Sequence, residues 1–288
     1  MRNEHRLTVK FMGVRGSIPT PGPENLGFGG NTTCLEVRSS AGDVLVIDAG
    51  SGARKLGLAL AGEFAGRKLD LHLLLTHFHW DHIQGIPFFA PLFGPANCLT
   101  FHSSRPPEKV RAFLAGQMLD PYFPIGFDNL PARREFAQME YRATRLGGIQ
   151  VHPFPLNHPQ GATGYRLEAG GAVIVHASDL EHGDPRLDSV LRDHAEGADV
   201  LIYDAQYSPE EYESRRGWGH STWLEATRVA RDAHVKQLVL FHHDPGHDDG
   251  TLQDFVHQAR RTFENTEAAK EGWATSSVAF FKESLSSP

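Results

Sequence analysis

Short apolar stretches separated by polar, glycine-rich and proline-rich connections run through most of the chain, and this pattern predicts many short β-strands. The strand candidates are Leu7–Val14, Thr33–Val37, Val44–Asp48, Leu69–Thr76, Ile149–Phe154, Thr163–Glu168, Ala172–His176, Asp199–Tyr203 and Gln237–Phe241. Helical periodicity or composition marks Ala53–Ala61, Glu108–Met118, Pro185–His194, Thr222–His234 and Leu252–Phe263. Strands in both halves, interspersed with helices, predict an α/β fold of two sheets packed on each other with helices outside.

The middle of the chain breaks this pattern. Residues from about 87 to 141 carry much of the proline and aromatic content, and we expect an irregular, cap-like excursion there instead of a core element. Its aromatic side chains could line a pocket, although packing beneath a long loop is their more usual role. No repeat or linker divides the sequence, so residues 1–288 are interpreted as a single domain.

Composition narrows the classes of function. The 288 residues carry a formal charge of −7, whereas a dedicated nucleic-acid binder usually presents a basic patch. The sequence contains no run of about 18 apolar residues that would span a membrane, and its first residues lack a signal-peptide core. Two cysteines, Cys34 and Cys98, are too few for a disulfide framework, so we expect a cytoplasmic protein.

Histidine is unusually frequent, with 17 copies, and it is both the commonest metal ligand and a proton carrier near neutral pH. An apolar strand runs directly into His77, His79, Asp81 and His82. Since residues two apart in an extended chain point to the same side, His77 and His79 can serve one metal ion while the next two ligands turn towards a second. Such ligands suit Zn²⁺, with Mn²⁺ or Fe as alternatives. The competing interpretation, a histidine-rich surface turn, would leave buried polar groups without partners.

Further candidate ligands lie beside other predicted strands, where strand ends form a rigid base for a site. They are His158, Asp179, Asp204 and His242. A single strand-terminal aspartate is often only a turn or cap residue, so the recurrence at four strand ends carries this prediction.

These motifs resemble those of a known family. The sequence HFHWDH has the His-x-His-x-Asp-His signature of the metallo-β-lactamase-fold hydrolases, and the similarity, over nearly the whole chain, is closest to the RNase Z-like phosphodiesterase branch, in its cyclic nucleotide phosphodiesterase-like form. The further matching segments are GVRGSIPTPG, VIDAG, LNHPQGATGYRL, SDL, GHST and LVLFHH. The resemblance implies an αββα sandwich, in which two mixed β-sheets carry helices on their outer faces.

Carried over residue by residue, the resemblance implies a centre of two divalent metal ions. The ligands would be His77, His79 and His158 for one ion, Asp81, His82 and His242 for the other, and Asp179 for both. Asp48 would orient ligands without touching metal. His243 is an alternative to His242, and His152 is an alternative to His158.

The expected catalytic residues are Asp81, Asp204 and His220. Two metal ions about 3.5–4 Å apart would activate a water as hydroxide and hold an oxygen of a phosphodiester. His220, oriented by Asp204, would supply a proton to the leaving alkoxide. We also expect the backbone N–H groups of Ser221 and Thr222, at the start of the next helix, to favour a nearby phosphate.

We therefore predict that the substrate is a small phosphodiester, with 3′,5′ or 2′,3′ cyclic nucleotides as the leading class. A tRNA 3′-processing endonuclease of the same branch would carry a long basic arm, which the sequence lacks, so a nucleic-acid partner is not expected. The alternatives are arylsulfatase, lactonase or β-lactamase chemistry and a non-catalytic metal-binding role. A homodimer with FFAPLFGP at its interface is also open. The side chains suited to stacking on a base are Phe28, Tyr207, Trp218 and the aromatics of Leu119–Phe127.

Overall fold

Two seven-stranded β-sheets form the centre of the computed structural model, which describes residues 6–278. The first sheet contains β1 (Arg6–Gly13), β2 (Cys34–Ser39), β3 (Val44–Ile47), β4 (Asp70–Leu74), β5 (Cys98–Ser103), β6 (Arg133–Gln138) and β14 (Ala274–Val278). The second contains β7 (Thr144–Leu146), β8 (Ile149–Leu156), β9 (Ala162–Ala169), β10 (Ala172–Ala177), β11 (Val200–Asp204), β12 (Gln237–Phe241) and β13 (Thr266–Ala268). The strand orders are β14-β1-β2-β3-β4-β5-β6 and β13-β12-β11-β10-β9-β8-β7.

Within the described residues, five of the seven helices lie close to predicted positions, whereas the short helices α2 and α5 were not predicted. They are α1 (Ala53–Glu63), α2 (Trp80–Ile83), α3 (Pro107–Gly116), α4 (Pro185–Ala195), α5 (Pro209–Ser214), α6 (Trp223–Asp232) and α7 (Asp249–Arg260). The Thr222 hydroxyl accepts a hydrogen bond from the Glu225 N–H and so begins α6 as predicted. Helix α7 begins three residues before the predicted Leu252, because Asp248 caps it by accepting from Thr251 N–H at 2.8 Å.

Three apolar layers hold the sheets and helices together. Between the sheets, alternate residues of β1, such as Val9 and Phe11, share one buried cluster with Ile202 and Val239 of the second sheet. A second cluster lies between the first sheet and helices α1 and α3, and a third lies between the second sheet and helices α4, α6 and α7. Burial of these faces stabilises the sandwich by roughly 25 cal/mol per Å² of apolar surface. The predicted α/β sandwich of two mixed sheets with outer helices is confirmed.

Parallel pairing brings the carboxyl ends of several strands to one edge of the sandwich. Strands β3, β4, β5 and β6 are parallel in the first sheet, as are β10, β11, β12 and β13 in the second. Strand β8 points the same way as β10, since both are antiparallel to β9. The candidate ligands that follow these strands therefore meet at one place.

The prediction of an irregular, cap-like excursion at residues 87–141 is wrong for much of that segment. It contains β5 and β6, which extend the first sheet, and α3, whose Val110 and Leu114 are fully buried. Polar residues in both strands hid them from the apolar pattern, and β6 is an edge strand with a partly exposed surface. Irregular structure is limited to connections and to short 3₁₀ turns at Ile86–Phe88, Ala90–Phe93 and Phe127–Asn129.

Across residues 6–278, the longest apolar helical stretch falls short of what a bilayer crossing requires.

Candidate metal centre

Three residues that end strands adopt left-handed backbone conformations at this edge. Asp48, Asp179 and His242 have φ angles of 56°, 63° and 61° and directly follow, or come within two residues of, β3, β10 and β12. Such angles are uncommon for residues other than glycine, and they concentrate at functional sites, where the surrounding structure holds them in place. Here they turn polar side chains out of the strand direction and into the cleft between the sheets.

The first donor group consists of His77, His79 and His158, whose ring nitrogens lie within 4.8 Å of one another. His79 Nδ1 and His158 Nε2 are 3.2 Å apart and face the same point. The other nitrogen of each ring is held from outside: His79 Nε2 lies 3.0 Å from Gln160 Oε1, and His158 Nδ1 lies 2.8 Å from the carbonyl oxygen of Gly219. These outer contacts fix which nitrogen is free to face the cleft.

The second donor group consists of Asp81, His82 and His242 together with Asp179. His82 Nε2 and His242 Nε2 are 3.3 Å apart, and each lies 3.2–3.3 Å from Asp81 Oδ2. Outside the group, Asp48 Oδ2 lies 2.7 Å from His82 Nδ1. The sequence-based expectation that Asp48 supports the ligands from behind agrees with this geometry.

Asp179 lies between the two groups. Its Oδ1 is 3.2 Å from His242 Nε2, 3.8 Å from His77 Nε2 and 4.0 Å from His158 Nε2, and its Oδ2 is 3.2 Å from His82 Nε2. One carboxylate therefore faces imidazoles of both groups, which is the position that a bridging ligand would require.

These donors fit two divalent cations. The Nε2 atom of His77 is buried without a hydrogen-bond partner among the described residues, and burial of a polar atom without a partner is unfavourable. His82 Nε2 and His242 Nε2 face each other although each ring already uses its Nδ1 in an outer contact. A cation in each donor group would satisfy these nitrogens and the carboxylates together, and imidazole with carboxylate is a donor set that suits zinc.

The charges of the site suit cation binding as well. Burial opposes ionisation of Asp179 and Asp81, but the neighbouring His242 and His82 hold the pKa of both carboxyl groups well below the usual value. Burial lowers the pKa of His77, so this imidazole is neutral and keeps a lone pair for a cation. Although burial opposes it, the Asp179 and Asp81 carboxylates raise the pKa of His242 to about 9, which shows that the group attracts positive charge, and a metal ion would displace the proton on this imidazole.

His220 and Asp204 form a pair beside both donor groups. His220 Nδ1 lies 2.9 Å from Asp204 Oδ2, and the His220 ring stacks on His242 with centroids 4.9 Å apart and lies 5.4 Å from the ring of His158. Asp204 is fully buried and also accepts hydrogen bonds from the N–H groups of Asp179, Gln206 and Ser221. Since Nδ1 is held by the carboxylate, His220 Nε2 is the nitrogen left to act on a bound molecule.

The expectation that the Ser221 N–H favours a nearby phosphate is wrong. This group donates to Asp204 Oδ1 at 3.0 Å, so it is already used in orienting the carboxylate and is not available to a phosphate.

Both alternative ligands lie away from the centre. His243 is buried with its Nε2 donating to the carbonyl oxygen of Ala269 at 2.9 Å. His152 lies within β8, and its Nε2 is 3.8 Å from the Glu168 carboxylate. The strand-end positions of His242 and His158, and not their neighbours in sequence, therefore face the cleft.

Several residues that support the proposed ligands were not predicted from the sequence. Gln206 Oε1 lies 2.9 Å from His242 Nδ1, and Ser17 N–H donates to Asp81 Oδ2 at 2.8 Å. The Glu181 carboxylate accepts from the N–H groups of Gly217 and Gly219 and thereby fixes the loop before His220. Ser17 lies within the matching segment GVRGSIPTPG, and Gln206 and Glu181 lie two residues after Asp204 and Asp179, respectively, but nothing in the sequence shows which contacts these side chains and N–H groups make.

Two of the aromatic residues expected to stack on a base are part of the core instead. Phe28 is 3% exposed and packs edge-on against His243, and Tyr207 is 1% exposed. Trp218 and Tyr122 remain largely exposed, at 62% and 79%.

The chain is similar to known proteins over most of its length. Residues 44–243 match the family described as the beta-lactamase superfamily domain. A protein named ribonuclease Z from Lachnospira eligens is 24% identical over an alignment of 311 positions, gaps included, which covers 92% of this chain and 96% of the relative. The structure of the metallo-beta-lactamase fold protein YhfI from Bacillus subtilis covers 95% of this chain and 100% of its own, with 19% identity and a TM-score of 0.73. A structure described as a new diphosphatase from the PhnP family covers 96% and 99%, with 18% identity and a TM-score of 0.69.

The family match spans more than half of the chain, the two-sheet architecture agrees with that of the solved structures, and the relative of similar length is a ribonuclease Z. The chain belongs to the beta-lactamase superfamily and is a metal-dependent hydrolase of the metallo-β-lactamase fold.

Proposed function

We propose that the protein is a dinuclear metal-dependent phosphodiesterase that hydrolyses a small phosphodiester, with cyclic nucleotides as the leading class. The observation that carries the proposal is the arrangement of two donor groups around Asp179, with the His220–Asp204 pair against both of them. The proposed ligands are His77, His79 and His158, then Asp81, His82 and His242, with Asp179 shared. Zinc is the proposed metal, and manganese or iron would also suit these donors.

When bound, such a pair of divalent cations supplies an activated water and neutralises charge on the phosphoryl oxygens. The chain's own contribution begins with orientation. Outer contacts from Asp48, Gln160 and Gln206 hold three of the imidazoles in the rotation and tautomer that direct the other nitrogen into the cleft. The Ser17 N–H holds Asp81 from the opposite side.

The leaving alkoxide of a phosphodiester needs a proton, and His220 is placed to give it. Asp204 accepts from His220 Nδ1–H, which orients the ring and directs its Nε2 towards a bound molecule. The proton on Nε2 then passes to the leaving oxygen. Three backbone N–H groups also donate to the Asp204 carboxylate and fix its orientation towards the ring.

A substrate panel tests the proposal. The purified protein is loaded with zinc or manganese and offered bis-p-nitrophenyl phosphate, 3′,5′ and 2′,3′ cyclic nucleotides, p-nitrophenyl sulfate, nitrocefin and a homoserine lactone, with and without a chelator. We expect chelator-sensitive hydrolysis of the phosphodiesters. Turnover of only the sulfate, the lactam or the lactone would contradict the phosphodiesterase proposal and favour the arylsulfatase, β-lactamase or lactonase alternative.

The second candidate function is tRNA 3′ processing, which the name of the Lachnospira eligens relative favours. Two observations support the small substrate instead. The chain carries a net charge of −7, whereas binding of a polyanion depends on clustered cations. The alignment with that relative has 311 positions, although it includes only 92% of the 288 residues of this chain. The relative therefore has residues at alignment positions where this chain has none.

A competition experiment separates these two candidates. A tRNA precursor with a 3′ extension and a cyclic nucleotide are offered to the same metal-loaded sample at matched concentrations. Faster cleavage of the precursor at its 3′ extension would overturn the small-substrate proposal while retaining the phosphodiesterase chemistry.

A further inference from the structure

A large pocket lies beside the candidate metal centre. Its volume is about 1030 Å³, at the top of the range of about 300–1,000 Å³ that is typical of small-molecule sites. One wall is the metal-binding motif with α2, the other is formed by β5, α3 and the segment after it, and the inner end reaches His77 and His79. We call this space the α3 pocket.

The wall of the α3 pocket is connected to a proposed metal ligand through Gln160. The Arg105 guanidinium donates to the backbone carbonyl oxygen of Gln160, and Gln160 Oε1 lies 3.0 Å from His79 Nε2. Gln160 has a left-handed φ of 66°, which the surrounding structure must hold in place. A molecule that fills the pocket therefore lies against the residues that orient His79.

Aromatic faces dominate the lining. Phe78 and Phe113 pack against each other with ring centroids 4.9 Å apart, and the rings of Trp80 and Tyr122 are 74% and 79% exposed. Flat aromatic faces bind other planar rings by stacking and by burial of apolar surface. Four such rings around one cavity favour a planar ligand over an extended polyanion.

Polar groups on the same walls add to this picture. Gln117 Nε2 is a buried donor with no acceptor within reach in the part of the chain that the structure describes. Arg105 and Lys109 bring positive charge to the pocket of a protein whose formal net charge is −7. The pocket thus offers stacking surfaces, one hydrogen-bond donor and two cations, which together suit a planar aromatic group with an acceptor on its edge and an anionic phosphoryl group attached.

We propose that the α3 pocket binds the organic group of the substrate, and that this group is a planar aromatic ring system of nucleobase size or larger. The inference rests on the proposed phosphodiesterase function and narrows its substrate class. Simple alkyl phosphodiesters would leave the pocket unfilled and would bind more weakly.

The test measures binding and does not depend on turnover. Dissociation constants of 1-naphthyl phosphate and methyl phosphate are determined by titration calorimetry on the metal-loaded protein. Both probes carry the same phosphoryl charge, so their difference reports the aromatic group. We expect 1-naphthyl phosphate to bind at least about tenfold more tightly, because its rings bury apolar surface in the pocket.

Gly116→Trp tests whether the α3 pocket is responsible. Gly116 lines the pocket at the end of α3, and a Cβ added there meets no neighbouring atom within 4 Å, so the substitution adds bulk at the pocket wall without a clash at Cβ. Gly62→Trp is the matched control, since Gly62 lies in α1, where an added Cβ also meets nothing within 4 Å. Phe113→Ala is a second variant, which removes a stacking face instead of filling the space.

We expect Gly116→Trp and Phe113→Ala to bring the affinity for 1-naphthyl phosphate close to that for methyl phosphate, and Gly62→Trp to keep the wild-type difference. Equal binding of the two probes by the wild type, or a difference that survives in both pocket variants, would overturn the inference. The substrate panel separates this result from the parent proposal. If the protein hydrolyses phosphodiesters but binds the two probes equally, only the pocket inference is refuted. If it binds 1-naphthyl phosphate more tightly but hydrolyses no phosphodiester, only the phosphodiesterase proposal is refuted.

Discussion

At the scale of single residues, His220 is the group on which the proposed chemistry depends most directly. We expect His220→Ala to lower kcat for a cyclic nucleotide, whose leaving oxygen is an alkoxide that needs a proton, by about a hundredfold or more, because general acid catalysis typically contributes about 10²–10⁴-fold. Metal content should stay at the wild-type level, since His220 is not among the proposed ligands. The checks are steady-state kinetics and metal analysis on the same samples.

The exposed His234, which pairs with Glu196 far from the centre, supplies the matched control. His234→Ala should leave kcat unchanged. Equal activity of His220→Ala and the wild type would remove the assigned role of the His220–Asp204 pair.

Asp179 has a different expected signature because its carboxylate faces both donor groups. We expect Asp179→Ala to lose both metal ions together, as measured by elemental analysis after exhaustive dialysis. Asp232→Ala, which removes a surface carboxylate paired with Arg231, should retain both ions. Two ions retained by Asp179→Ala would refute the bridging position.

At the scale of elements, the loop between α5 and α6 is held by one carboxylate. Glu181 accepts from Gly217 N–H at 2.8 Å, Gly219 N–H at 3.0 Å and the Tyr212 hydroxyl at 3.0 Å. Gly219 in turn offers its carbonyl oxygen to His158 and precedes His220. Glu181 is therefore a positioning residue that acts on a proposed ligand and on the proposed acid at once.

We expect Glu181→Gln to lower kcat by about 10- to 100-fold, as is typical when an outer partner of a metal ligand is changed. The side-chain NH2 group of glutamine cannot accept a hydrogen bond, so one of the two backbone N–H groups would lose its acceptor. The side chain keeps the same volume, so no cavity is created. Glu210→Gln in the exposed first turn of α5 is the control. A Glu181→Gln variant with wild-type kcat and an unchanged pH profile would contradict the positioning role.

Neighbouring strands β4 and β5 carry a histidine pair that makes stability depend on pH. His72 Nδ1 and His102 Nε2 are 2.9 Å apart, and burial, together with the charge of His72, lowers the pKa of His102 to about 4 from the ordinary 6.5. Because the folded pKa is the lower one, the unfolded chain binds the proton first, so stability is intact above pH 6.5 and falls between pH 6.5 and 4.

At pH 5 this group should lower the free energy of unfolding by about 2 kcal/mol relative to neutral pH. Denaturant unfolding of chelator-treated wild type and His102→Phe at pH 7 and pH 5 measures the effect, since the titrating histidines of the metal centre are common to both proteins. An equal loss of stability in the two proteins would contradict this account of His102.

At the scale of the whole molecule, the proposed metal ligands connect the two sheets. His77, His79, Asp81 and His82 follow β4 of the first sheet, whereas His158, Asp179 and His242 follow strands of the second. Metal binding should therefore stabilise the sandwich as a unit, by about 2.7 kcal/mol at a free metal concentration 100 times the Kd. We expect zinc to raise the Tm of the wild type and to leave the Tm of Asp179→Ala unchanged. A zinc-independent wild-type Tm would count against a centre shared between the sheets.

Features that a short stretch of sequence determines could be predicted, and features that depend on contacts between distant residues could not. The meeting of the proposed ligands at one edge was predictable, because each lies next to a recognisable apolar strand and parallel strands end at the same edge. Strands β5 and β6 were not, since His102 and the arginines of β6 interrupt the apolar pattern that marks a core element. Gln160 and Glu181 were also missed, because their roles depend on contacts across 81 and 38 residues of chain that no spacing rule reveals.

The pairing of β14 with β1 joins the two ends of the described chain in the first sheet, with Leu7 opposite Ser277 and Lys10 opposite Ala274. Among the described strands β1 is synthesised first and β14 last, so the β1 edge stays open until β14 has been made. His242 is likewise synthesised long after His77, so the proposed metal centre lacks a ligand until β12 has been made. A product that stops before β14 would therefore leave the β1 edge unpaired, and one that stops before His242 would also lack a proposed ligand.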